Sequence, residues 1–285
     1  MRIVGALLLA VGTAALYALS TSLQALEARR TSSESALRAS LLARLARRPL
    51  WVAGTAAGLL AWPMQAGALA LASVALVQPA LGLGLVVLLA LGVRMLGEHV
   101  GAREIGGAAA IAAGVGLLAW AAPPGNGRFT RVAEIAVVVA AAAIAAAPFV
   151  IRRVRSIGGV AAAAVAGFGW GVVGYATALL DESLARRHWL ATAGWLAVVG
   201  AASLSSLLAE MTALQSCPAT RAVPLTFLVE MALPAALAPF LTSSRPSSEA
   251  GFALGLALAA GGAVALGRSR AVAHVVQEGE ALTAP

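Results

Sequence analysis

The chain has 285 residues, of which 60% are hydrophobic and 11% charged, whereas soluble domains carry about a quarter charged residues. Its net charge of +8 comes from twenty basic residues, every one an arginine, against twelve acids. Without lysine there is no Walker A phosphate loop and no Schiff-base site; a lone Cys217 excludes an internal disulfide, and His99, His188 and His274 lack ligand spacing.

No cofactor is expected. The arginine excess reads as loop charge of a membrane protein, not as a nucleic-acid surface. Apolar runs of about 17 to 25 residues, each long enough to cross a hydrocarbon core of roughly 30 Å, recur along the sequence. The predicted fold is an all-α polytopic membrane protein.

In chain order the predicted helices are Ile3 to Leu23, Leu50 to Ala72, Val74 to Leu96, Ile105 to Ala122, Val132 to Ile151, Ile157 to Leu180, Trp189 to Cys217, Ala219 to Leu241 and Ala250 to Leu266. That makes about nine, and a tenth stays open. The first run also fits a signal peptide ending in "ALS", but the many similar segments after it make an uncleaved helix simpler. The basic loop 25–49 is too charged to span and is expected to form a short surface helix. The tail 268–285 is polar and expected to be disordered.

With the amino terminus outside, thirteen arginines fall inside and six outside, Arg221 being set apart as intramembrane. The positive-inside rule then favours N-out and C-in, in the plasma membrane or bacterial inner membrane. Arg2 alone argues the other way, and a tenth helix would reconcile the two.

The order of elements repeats. A helix ending in "ARR" (Arg29 and Arg30; Arg186 and Arg187) is followed in both halves by a long helix, a proline-bearing helix and a short Gly/Ala-rich helix. Pro79 then corresponds to Pro224 and Gln65 to Glu210. Region 1–122 is the first repeat, 123–156 a linking helix that reverses the second set, and 157–267 the second repeat. Inverted repeats place a substrate site near the midplane, between the halves.

A helix ending "ALVQP", its continuation "ALGLGLVVLLALGVRMLGE" and the run "GAREIGGAAAIAAGVGLLAW" resemble the drug/metabolite transporter superfamily, EamA-like branch. The basic loop after the first helix and the order of nine helices look especially like its NIPA-type magnesium transporter group. The resemblance covers about residues 1–268 and implies a carrier of metabolites, amino acids, drugs or divalent cations. The "GE" of the first half, Gly97 and Glu98, has no acidic counterpart in "LTSSRP" of the second, which leaves the substrate open.

Glu230 is the sharpest candidate, because an ionised carboxylate in mid-membrane costs several kcal/mol unless it faces a cavity, a proton or a cation. Pro234, with no N–H, frees the carbonyl of Glu230 itself, just as Pro63, Pro79 and Pro224 free those of Leu59, Ala75 and Thr220. Arg221 stands about 900° around the helix and roughly 13 Å from Glu230, so its partner lies elsewhere, with Glu210 at a compatible depth. Gln65 and Gln78 are candidate pathway groups, and Tyr17, Trp170 and Tyr175 candidate cavity aromatics, against a packing role for each. Gly169, Gly171 and Gly174 match GxGxxG, but within an apolar helix the spacing reads as helix packing, with Gly167 and Gly171 as the small-xxx-small pair. Asp181, the single aspartate, reads as solvated interfacial charge.

The expectation is therefore a secondary transporter of a small molecule or ion, with proton coupling through Glu230 open and a homodimer open. A NIPA-like magnesium carrier, with Glu98 and Glu230 as metal candidates and Glu210 and Gln78 as further donors, is the alternative. A non-transporting membrane scaffold is the alternative of another class. An enzyme is set aside for want of HExxH, GxSxG or paired aspartates.

Overall fold

A computed structural model describes residues 2–31, 36–71, 74–121, 131–154, 158–241 and 246–267. Every regular element among them is a helix: α1 (Arg2–Ala28), α2 (Ala39–Leu45), α3 (Pro49–Leu71), α4 (Val74–Leu96), α5 (Ala102–Ala121), α6 (Arg131–Val154), α7 (Gly159–Ala185), α8 (Trp189–Ser216), α9 (Ala219–Leu241) and α10 (Glu249–Gly267). The tail 268–285 lies outside the described residues.

Four segments, Ile3–Ala28, Arg131–Pro148, Gly159–Ala185 and Trp189–Ser216, are long and apolar enough to cross a membrane. Large apolar side chains point outward on several helices, among them Leu8, Leu59, Trp62, Val86, Val139 and Leu190. So much exposed apolar surface on a water-soluble monomer would be a liability. This is a helical membrane protein.

Lipid removes most of the hydrophobic drive between helices, so close packing depends on small residues. Accordingly, α1 buries Ala6, Ala10, Ala14 and Ala18, spaced four apart so that they form one stripe. Helix α1 packs on α3 and α4, and α7 packs on α8 and α9 in the same way. Gly167 on α7 lies so close to α9 that a Cβ there would collide with the Thr226 carbonyl. Helices α5 and α10 join the halves through Gly114, Gly255 and Gly262, each in near contact with the opposite backbone. Helix α6 lies against α7 and α8.

Two helices run about a turn beyond their expected ends. Helix α1 continues to Ala28 because Gln24 bonds to Thr55 at 3.2 Å and Glu27 pairs with Arg30 at 2.9 Å and Arg48 at 3.5 Å. Helix α7 continues to Ala185, where Glu182 and Arg186 pair at 2.6 Å. Helix α2 differs from a lipid-surface helix: Leu41 and Leu45 are fully buried in a cluster with Met211, Leu214 and Ala219. Before it, Leu37 turns through φ +52° and donates its N–H to Thr212 Oγ1 at 3.0 Å.

Candidate functional site

Five side chains named from the sequence come together between the halves. The Tyr17 hydroxyl on α1 donates to Gln65 Oε1 on α3 at 3.0 Å. The Trp170 indole on α7 donates to Glu210 Oε2 on α8 at 2.9 Å. Glu230 on α9 is close enough for its charge to act on Tyr17, and for the charge of Glu210 to act on it. Thus α1 and α7 each carry an aromatic donor to a polar acceptor on a neighbouring helix, α3 and α8 respectively.

All five are half-buried, not sealed. Glu210 and Glu230 lie deep among surrounding atoms, yet both keep accessible surface. Two carboxylates at such a place repel when both are ionised, because water no longer screens them well. The arrangement is therefore suited to holding a proton or a cation.

The other candidates stand elsewhere. Tyr175 packs against Val137, Ala141, Val172 and Ala202 in the apolar cluster of α6, α7 and α8. The side chain of Gln78 lies outside the described residues, as does that of Asp181. Glu98 follows α4 and bonds to Arg29 and to the first turn of α9. Arg221, in that same turn, acts on the Cys217 thiol. Among the described residues no group of three or more His, Cys, Asp and Glu side chains is placed to hold a metal ion.

Burial pushes the Cys217 thiol up from its ordinary range, Arg221 and Arg29 pull it down, and Glu98 adds to the rise. Sequence reasoning flagged Glu98 by its motif but could not find its partners, Arg29 lying 69 residues away in the chain and the first turn of α9 more than a hundred.

No family model matches the chain, nor does any curated protein or solved structure.

Proposed function

We propose that this protein is a secondary transporter whose substrate or coupling-ion site is the group formed by Tyr17, Gln65, Trp170, Glu210 and Glu230. The observation that carries the reading is two carboxylates, each deep but accessible and within electrostatic reach of each other, beside two hydrogen-bonded pairs, a group drawn from five helices of both halves. A membrane interior tolerates ionisable groups when they serve a pathway or a relay. A passive scaffold has no need of two acids within electrostatic reach of each other there.

Inverted repeats are supported by the packing: α1 with α3 and α4 mirrors α7 with α8 and α9, and α5 with α10 lies between the halves. The Tyr17–Gln65 and Trp170–Glu210 bonds repeat the same device once per half. In this reading the helices other than α2 span the membrane, and the arginine-rich loop lies in the cytoplasm. The divalent-cation alternative has less support, because the Glu98 carboxylate is already taken by Arg29 and α9.

The test is flux in proteoliposomes loaded with a pH-sensitive dye, with Mg²⁺ and the organic cation tetraphenylphosphonium as probes, followed by amino acids and amines. A probe carried by the wild type is expected to move at background rate in Glu230→Gln. Equal flux in the two proteins would remove Glu230 from the site.

A further inference from the structure

At the arginine-rich end, α4 is turned out of its helix by Gly97, whose φ of +64° suits glycine. The turn bonds the Glu98 N–H to the Gly92 carbonyl at 3.0 Å and leaves the carboxylate against α9. There Oε1 accepts from the Ala219 N–H at 2.7 Å and Oε2 from the Thr220 N–H at 2.8 Å. These are two of the donors that a helix leaves unpaired at its start, where the dipole also favours negative charge. Arg29, just past the end of α1, holds the same carboxylate. Gly92 permits the approach: a Cβ there would collide with the Thr220 methyl. One side chain following α4 thus ties the end of α1 to the start of α9.

Beside this knot is a cavity of about 360 Å³, lined by Arg29, Leu96, Glu98, Gln215, Cys217 and Pro218. The same helices lead from it to the acidic pair: Glu230 lies about 16 Å along α9 from Ala219, and Glu210 about 10 Å along α8 from Cys217. Between them Ala25, Ala28, Met211, Leu214 and Ala222 pack as one apolar cluster.

We propose that Glu98 is the latch of a gate at this end, closed here, and that its release joins the cavity at Arg29 and Cys217 to the site at Glu210 and Glu230. The gate rests on the transporter reading, but the latch is testable without flux. Cys217 is the single cysteine, is 6% exposed and lines the cavity, so it reports on opening. Because Glu98 also acts on the thiol's acidity, a single alkylation rate is ambiguous. The ratio of rates for a bulky maleimide and for iodoacetamide cancels the thiolate fraction and reads width.

In full-length protein in proteoliposomes, Glu98→Gln and Gly92→Val should each raise that ratio about ten-fold, the scale of one lost charge-assisted hydrogen bond. Gly92→Val keeps both charges and crowds the contact, its Cβ colliding with the Thr220 methyl and standing 3.3 Å from Glu98 Oε2; Gly92→Ala replaces it if the valine protein is not monodisperse. Glu182→Gln, at a surface ion pair, should match the wild type. An unchanged ratio in either the Glu98 or the Gly92 variant overturns the latch. Flux through the wild type separately decides the transporter reading, and its loss in Glu230→Gln the site, so the two failures are distinguishable.

Discussion

Trp170 and Glu210 are joined by an indole-to-carboxylate hydrogen bond of 2.9 Å between α7 and α8. The carboxylate sits deep in the bundle, where an acceptor without its donor keeps its full desolvation cost. Trp170→Phe retains most of the ring and removes the donor. Its expected cost is about 1 to 3 kcal/mol of stability, read as a lower melting temperature of the purified protein. Glu210→Gln, which leaves an amide oxygen for the indole, should lose less. A Trp170→Phe protein that melts with the wild type would mean the bond carries no net stabilisation.

Much of the fold was legible because lipid imposes a simple rule: a spanning segment must be long, apolar and helical. Each apolar run predicted from the sequence overlaps a helix of the structure. The helix ends were less legible. Helix α1 outruns its apolar pattern because Glu27, an unfavourable residue in isolation, finds Arg30 and Arg48. Glu230 stood out in the sequence because a lone acid in an apolar run has few inexpensive explanations, and Glu210 as the acid at the depth of Arg221. Their proximity to each other was not legible, and neither was the bond from Glu98 to α9, since helix register alone does not say which helices touch. The role of Leu41 and Leu45 was hidden for the same reason: in a short arginine-rich segment, leucines fit a lipid surface as well as a protein one.

The Cys217 thiol should titrate above its ordinary value of about 8.5. Burial is the larger cause and Glu98 the smaller one on the same side, while Arg221 and Arg29 work against them. Only the thiolate is nucleophilic, so alkylation by iodoacetamide should be slow near neutral pH and keep rising beyond pH 8.5. Arg221→Gln removes a charge that favours the thiolate and should move the midpoint higher. Glu98→Gln removes one that opposes it and should move the midpoint lower. The measurement is the alkylation rate from pH 7 to 10.5, and a wild-type midpoint at or below the ordinary value would contradict the buried setting.

Helix α2 gives the clearest test of how the basic loop is held. Leu41 and Leu45 have no exposed surface and share a cluster with Met211, Leu214 and Ala219 from α8 and α9. Trp51, at the start of α3, closes the same cluster and lies with its indole nitrogen 3.2 Å from the Met211 sulfur. Leu45→Ala therefore opens a cavity inside protein, at a cost of about 2 to 5 kcal/mol. Arg44→Gln, on the exposed side of the same helix, should stay within about 0.5 kcal/mol of the wild type. Unfolding of the two variants in detergent, followed by melting temperature, separates the cases. A helix resting on lipid headgroups would retain a fluid apolar surface around the shortened side chain, and Leu45→Ala would then cost little more than Arg44→Gln. A wide gap between the variants means that the loop is part of the bundle. It would then move with α8 and α9, the helices that carry Glu210 and Glu230.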